Sequence, residues 1–140
     1  MSKLDLVKYD VDFVKVNSDG RRIIYDPARI TWGFEGQWHS HSIITPIHER
    51  AELGNHFHDY DEVFFTPNGC FDFKLVDIES FETRKYILNK GNRILIPQKV
   101  GHVAIGTGNG VLMGYGNAPY DSKRIFPLST MALEALSLVK

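Results

Sequence analysis

Short runs of alternating apolar and polar residues extend along most of this chain of 140 residues. The run 71–76, Phe-Asp-Phe-Lys-Leu-Val, is the clearest, because side chains two residues apart on a strand share a face. Turn residues separate the runs, as in the segments 17–20 (Asn-Ser-Asp-Gly) and 66–69 (Thr-Pro-Asn-Gly). We interpret the following further runs as strands: 11–16, 23–25, 38–44, 56–65, 85–88, 93–96, 102–105 and 111–115.

One segment has the spacing of a helix. Met131, Leu133, Leu136 and Val139 can share one helical face, and Ser129 or Thr130 can cap its start. Strands that recur about every eight to twelve residues, without helical crossovers, are typical of antiparallel sandwiches and barrels. The pattern therefore predicts an all-β barrel with a short C-terminal helix, and the length predicts a single domain over residues 1–140.

The composition limits the class of protein, its partners and its expected location. Hydrophobic residues make up 43% of the chain and charged residues 24%, ordinary values for a globular protein. The formal net charge of −1 gives no reason to expect nucleic acid or an anionic membrane as a partner. Cys70 is the only cysteine, which excludes an internal disulfide, and no apolar run has the length of a membrane span. We therefore expect a cytoplasmic protein.

Candidate chemistry is concentrated in His56, His58, Glu62 and His102. The first three lie at even offsets, so on one extended strand they would point the same way, and a later strand could add His102. Three imidazoles and a carboxylate suit Fe(II), Mn(II), Ni(II) or Zn(II). The same imidazoles could instead transfer protons near neutral pH without a metal, since the pKa of histidine is about 6.5. Both readings remain open at this point.

The spacing of these residues resembles that of a known superfamily. His56-x-His58-x3-Glu62-x6-Gly69 resembles the first cupin motif, and Gly91-x5-Pro97-x4-His102 resembles the second. The two motifs cover about a third of the chain. The resemblance implies a cupin jelly roll of this size.

A second resemblance narrows the family. Residues 72–80 and 86–102, together with Tyr115, Tyr120-Asp121 and Ile125, look like the core of deoxysugar-nucleotide cupins. These are the dTDP-4-dehydrorhamnose 3,5-epimerases and the dTDP-sugar 3,4-ketoisomerases. The chain lacks the arginine of the epimerase Arg-Gly-x-His-x-Gln segment, and it has Glu62 where the ketoisomerases usually have glutamine. The ketoisomerase branch fits better.

This resemblance implies an isomerase or epimerase that acts on a dTDP-like 4-keto-6-deoxyhexose, in deoxysugar or surface-polysaccharide (lipopolysaccharide) biosynthesis. His56 would be the leading base, His58 its partner and Tyr120 a proton donor or a stacking group. Tyr115 would contact the sugar or base, and His48 would be a loop residue that touches substrate. Arg50, Arg93 and Lys99 would be candidate diphosphate contacts, because a diphosphate needs cationic donors.

The same residues also allow other functions. The chain could be a metal-dependent small cupin, either a sugar-phosphate isomerase or a dioxygenase, or a sugar-binding cupin without catalysis. A second His-x-His pair, His39 and His41, has no carboxylate at matching spacing, so we interpret both residues as pocket-lining or interface residues. We expect a homodimer, since that is the commonest soluble oligomer.

Overall fold

The computed structural model describes residues 2–11, 13, 30–32, 38–46, 48, 50–106 and 109–139, and these form two five-stranded antiparallel sheets. The first sheet has the strand order β1-β7-β4-β9-β2. Its strands are β1 (Lys8–Asp10), β2 (His39–Ile44), β4 (Glu62–Asn68), β7 (Arg93–Ile96) and β9 (Val111–Gly116).

The second sheet has the order β10-β3-β8-β5-β6. Its strands are β3 (Ala51–His58), β5 (Phe71–Asp77), β6 (Thr83–Leu88), β8 (Val100–Gly106) and β10 (Ile125–Pro127). Short 3₁₀ helices span Lys3–Leu6 and Ser122–Arg124, and helix α1 spans Thr130–Ser137. Ser129 caps α1, because its side chain accepts a hydrogen bond from the backbone N–H of Ala132.

An apolar core lies between the two sheets. Phe71, Phe73 and Leu75 of β5 are fully buried and pack against Phe64 of β4. At one edge, the ring of Tyr9 on β1 contacts Tyr86 on β6, with ring centroids 5.1 Å apart. The opposite edge strands are β2 and β10.

Part of the outer face of each sheet is also covered. Helix α1 packs Ala132 and Leu136 against Val76 and Val103 of the second sheet. Residues Ile30, Val63, Phe65, Leu95 and Tyr115 form a separate cluster on the first sheet. Strands that are covered on both faces are buried nearly throughout, as in β4 and β8.

These elements confirm the predicted all-β jelly-roll fold with a C-terminal helix. Strand 93–96 has the predicted bounds, the helix is shorter than predicted, and strand β4 continues to Asn68 through the predicted turn. The predicted strand at 23–25 and most of the strand at 11–16 lie outside the described residues. None of the helices in the described part of the chain has the length and apolar composition to cross a bilayer.

Candidate active site

Three histidine side chains meet on the inner face of the second sheet. His56 and His58 lie near the end of β3, and His102 lies on the neighbouring strand β8. His56 pairs directly with His102, and directly opposed residues of antiparallel strands share a face. The ring centroid of His56 lies 4.7 Å from that of His58 and 4.8 Å from that of His102. The three imidazoles therefore form one cluster.

A β-bulge at Asn55 turns these histidines inward. Before the bulge, Leu53 of β3 packs against the apolar core. The register then shifts by one residue between Gly54 and His56, and Asn55 has a left-handed φ of 66°. A one-residue shift moves every later side chain to the other face of the sheet. Without this extra residue, His56 and His58 would face away from the core.

Gly54 makes the bulge possible. Its φ of 112° is a conformation that side-chain-bearing residues rarely adopt. A Cβ atom at this position would also lie 2.6 Å from the carbonyl oxygen of His102. The glycine thus allows β3 to approach β8 closely at the position where the histidines meet.

Glu62 reaches the cluster from the opposite sheet, which corrects the prediction that it shares one strand with His56 and His58. Strand β3 ends at His58, and Glu62 begins β4 after a three-residue turn. The carboxylate Oε1 lies 2.8 Å from Nε2 of His58 and 3.5 Å from Nε2 of His102. Glu62 does lie beside the histidines, as the even spacing predicted. It does so because the chain crosses to the other sheet and reverses, and not because the residues share a strand.

Hydrogen bonds fix the turn that joins these strands. Asp61 accepts a hydrogen bond from the backbone N–H of Gln98, and Asn117 accepts one from the backbone N–H of Asp61. The backbone N–H of Lys99 donates to the carbonyl of His58 at 2.7 Å. The loop between β7 and β8 and the segment that follows β9 therefore hold the turn between His58 and Glu62 in place.

Burial differs sharply within the cluster. His58, Glu62 and His102 are at most 6% exposed, whereas His56 is only half-buried. Nδ1 and Nε2 of His58, Oε1 of Glu62 and Nδ1 of His102 are buried without a hydrogen-bond partner. Oε1 of Glu62 nevertheless lies only 2.8 Å from Nε2 of His58. Buried polar atoms without partners are unusual and point to a functional role.

This environment changes the pKa values of the cluster. Burial, together with the neighbouring imidazoles of His102 and His58, lowers the pKa of His56 to about 4. Burial also lowers the pKa of His102. Burial alone would raise the pKa of Glu62, but the contacts with the imidazoles outweigh it and keep this pKa below its usual value. At neutral pH His56 is therefore an uncharged imidazole that can accept a proton.

A series of aromatic rings extends from the cluster toward solvent. The ring of Tyr60 lies 4.7 Å from His58 and 5.4 Å from His41, between centroids. The ring of His41 in turn lies 5.8 Å from Tyr120, which is 62% exposed. Burial and the charge of Glu62 raise the pKa of Tyr60 to about 12, so its hydroxyl stays protonated. Tyr120 is thus connected to the histidines through two rings.

The structure does not bring all the predicted residues together. Arg93 lies on the outer face of the first sheet, where it contacts Asp10 at 2.9 Å and the ring of Trp32 at 3.6 Å. Tyr115 is buried in the cluster on the same outer face. Both residues point away from the histidines because alternate residues of a strand face opposite sides.

The predicted substrate contacts that lie in loops also differ in their positions relative to the site. His48 and Arg50 are exposed and precede the start of β3. Arg50 is six residues before His56, which corresponds to roughly 20 Å along an extended strand. Lys99 is exposed, and its backbone N–H donates a hydrogen bond to the carbonyl of His58.

Sequence reasoning missed two contributors. It gave no role to Tyr60, which contacts His58, or to Arg124. The guanidinium of Arg124 lies over the Tyr60 ring at 5.1 Å and donates a hydrogen bond to Asp59 at 2.7 Å. The position of Tyr60 between the motif residues His58 and Glu62 is the one sequence signal that could have indicated it. His41 was interpreted as a pocket-lining or interface residue, and its ring contacts Tyr60 and Tyr120.

The cluster also has the composition of a metal site. In the part of the chain that the structure describes, His56, His58 and His102 are the one group of three or more metal-ligating residues whose ligand atoms all lie within 4.8 Å of one another. The unpartnered oxygen of Glu62 lies beside two of these nitrogens. These donors fit a divalent transition metal, because the histidine nitrogens converge and both nitrogens of His58 lack a hydrogen-bond partner.

Comparisons with known proteins find similarity to solved structures alone. No protein-family model and no curated protein sequence matches the chain. The sugar 3,4-ketoisomerase of Thermoanaerobacterium thermosaccharolyticum, solved with TDP, has a TM-score of 0.69 and 18% identity over 94% of this chain and 95% of its own. A His-to-Asn variant of that enzyme was solved with TDP-4-keto-6-deoxyglucose, and it has a TM-score of 0.70 and the same identity and coverage.

Two further enzymes show the same similarity. The TDP-fucose-3,4-ketoisomerase of Campylobacter jejuni has a TM-score of 0.67 and 17% identity, over 86% of this chain and 87% of its own. The dTDP-4-dehydrorhamnose 3,5-epimerase of Bacillus anthracis has a TM-score of 0.65 and 15% identity, over 85% and 82%. These matches confirm the predicted resemblance at the level of the fold. The chain has the cupin-like fold of the dTDP-sugar 3,4-ketoisomerases and 3,5-epimerases.

Proposed function

We propose that this protein is an isomerase or epimerase of a nucleotide-linked 4-keto-6-deoxyhexose, with 3,4-ketoisomerisation as the favoured reaction. The observation that carries the proposal is the contrast within the histidine cluster. His56 is half-buried and uncharged at neutral pH, whereas His58, Glu62 and His102 are enclosed behind it. One reactive imidazole is thus presented to a ligand and held from behind by three buried groups.

The chemistry follows from the acidity of a carbon next to a carbonyl. His56 would take the proton from C3 of a 4-keto sugar and leave an enediolate, and return of a proton at C4 would give the 3-keto sugar. His58 and Glu62 would hold the cluster in position. Tyr120, exposed and connected through His41 and Tyr60, would donate a proton or stack on the sugar. The similar enzymes solved with TDP or a TDP-sugar support a thymidine diphosphate carrier.

The substrate contacts are part of the same proposal. Lys99 is the favoured diphosphate contact, since it lies beside the turn that carries the site. His48 and Arg50 would touch substrate only if it extended along β3. Such a reaction belongs to deoxysugar or surface-polysaccharide biosynthesis. We also propose that residues 1–140 act as one domain and associate as a homodimer, which light scattering in solution would test.

The experiment is turnover of dTDP-4-keto-6-deoxyglucose followed by NMR, with and without a chelator. We expect a 3-keto or epimerised product at an unchanged rate after chelation. We expect a loss of at least about 100-fold in His56→Gln, because general base catalysis contributes on that order. Glu134→Gln, on the exposed face of α1, is the matched control and should keep full activity. A chelator-sensitive wild type, or an active His56→Gln, would contradict the metal-free mechanism.

A metal-dependent small cupin, a sugar-phosphate isomerase or a dioxygenase, is the second candidate. It is favoured by the converging nitrogens of His56, His58 and His102 and by the buried Oε1 of Glu62, which has no hydrogen-bond partner. These four residues would hold Fe, Mn, Ni or Zn, and the ion would supply Lewis acidity or redox chemistry. Metal analysis of the purified protein decides between the two: below about one-tenth equivalent the metal candidate fails.

A further inference from the structure

His41 is turned toward the interior by a second β-bulge. In the pairing of β2 with β9, the register shifts between Ser40 and Ser42, so that His41 is the extra residue. Its ring lies against Gly116, where a Cβ atom would collide with the imidazole. Gly116 pairs directly with Glu62 on the next strand. A bulge and a glycine together therefore make room for this one ring beside the histidine cluster.

The hydrogen bond of His41 fixes which of its nitrogens carries the proton. Nε2 lies 2.6 Å from the carbonyl oxygen of Ala118. A carbonyl oxygen only accepts, so Nε2 must donate, and the neutral ring then has its lone pair on Nδ1. His41 is thereby held as an oriented imidazole with one nitrogen able to accept or return a proton.

His41 and His56 come from opposite sheets. His41 lies on β2 of the first sheet, and His56 lies on β3 of the second. The ring of Tyr60 contacts both His58 and His41, which puts the centres of those two imidazoles no more than about 10 Å apart. The groups that face His41 are Tyr60 and Tyr120, both phenols. We place a sugar that contacts His56 between the two sheets, with His41 and Tyr120 on its other side.

We propose that His41 is a second acid/base residue, which moves the oxygen-bound proton of the reaction while His56 moves the carbon-bound one. This role rests on the proposed ketoisomerisation. His56 takes the C3 proton, the C3–H electron pair forms the C3=C4 double bond, and the carbonyl π electrons move to O4. His41 Nδ1 then takes the proton of the C3 hydroxyl and delivers it to O4. As the C3 carbonyl forms, C4 receives the proton held by His56, so all atoms and charges balance.

Deuterium exchange separates this role from a structural one. In D₂O, wash-in at C3 of recovered dTDP-4-keto-6-deoxyglucose needs only His56, because the enediolate can be reprotonated where it was formed. Formation of the 3-keto sugar also needs the transfer from O3 to O4. We therefore expect His41→Gln, whose amide can keep the bond to Ala118, to exchange within about 3-fold of the wild type. Its isomerisation should fall by about 100-fold or more.

The outcomes are distinct. Equal loss of exchange and isomerisation in His41→Gln, or no loss of either, would overturn the role of His41. A wild type that epimerises the sugar without moving the ketone would also overturn it, since epimerisation needs no proton transfer between oxygens. A wild type that neither exchanges nor turns over the sugar would contradict the proposed function itself. If the melting temperature of His41→Gln falls, His41→Asn, which is smaller beside Gly116, repeats the measurement.

Discussion

The interior between the two sheets has an apolar half and a polar half. The two halves differ in whether their buried atoms find suitable partners. Around Phe73 and Leu75 the interior is entirely apolar and fully buried, so it stabilises the fold by removing carbon from water. Around His58, Glu62 and His102 the interior is equally buried, yet several nitrogen and oxygen atoms have no hydrogen-bond partner. Such atoms cost free energy in the folded state. The first half maintains the fold, and we propose that the second half receives a ligand.

The largest effect is expected in the apolar half. Phe73→Ala should reduce the free energy of unfolding by about 3–5 kcal/mol, because it removes a buried ring and leaves a cavity. Urea denaturation measures the change. Ile87→Ala, at a side chain that is 43% exposed on the same sheet, is the control and should cost less than about 1 kcal/mol. Similar losses in the two variants would show that the core is not where stability resides.

A substitution at the bulge tests how the two halves are joined. Gly54→Ala should cost about 1–3 kcal/mol and displace His56, because it forces a Cβ atom against the carbonyl of His102 at a positive φ. Gly69→Ala has a positive φ of 85° in a turn and controls for backbone strain alone. We expect the Gly54 variant to lose activity and the Gly69 variant to retain it. Equal behaviour would mean that the bulge does not position the site.

The polar half should also make stability depend on pH. The pKa of His56 is about 4 in the folded protein, below its ordinary value of 6.5, so the unfolded chain binds the proton more readily between these values. The free energy of unfolding should therefore be highest above about pH 6.5 and fall as the pH drops toward 4. Because His56 is only half-buried, we expect its share to be on the order of 1 kcal/mol after screening by solvent. Urea titrations of the wild type and His56→Gln should diverge over this range; parallel curves would contradict it.

The smallest expected effect has the opposite sign. Tyr60→Phe removes a buried hydroxyl without a partner, so stability should stay constant or rise by up to about 1 kcal/mol. Tyr9→Phe is the matched control. It lies at the edge where Tyr9 of β1 contacts Tyr86 of β6, and its hydroxyl donates to the carbonyl of Ile87. That variant should lose about 0.5–1.5 kcal/mol. Thermal denaturation of both would reveal whether the two regions differ as described.

Local patterns predicted much of this fold. The alternation at 71–76 and the apolar run at 93–96 became β5 and β7, because burial on one or both faces leaves a signal within a few residues. The residues His56, His58, Glu62 and His102 were also found from spacing alone. Their arrangement depends on pairing between strands, which single-sequence patterns do not encode. The bulge at Asn55 and the transfer of Glu62 to the other sheet are both of this kind.

Contacts with residues that are distant in sequence explain the other differences between the predicted and the observed site. Arg93 was a candidate diphosphate contact, but its side chain meets Asp10, which is 83 residues away in sequence. Tyr115 faces the outer cluster, because its strand neighbour Gly114 takes the inner face against Phe64. No periodicity in either segment indicates which face will meet the site, since both faces of the first sheet are covered at these strands.

The central claim is that His56 is the half-buried member of an otherwise buried cluster and removes a carbon-bound proton. Deuterium uptake from D₂O into dTDP-4-keto-6-deoxyglucose, measured by NMR with the wild type and His56→Gln, tests it most directly. We predict uptake at the carbon next to the ketone with the wild type, and a reduction of at least about 100-fold with the folded variant. Equal uptake by both proteins, or none by a folded, metal-free wild type, would contradict the account.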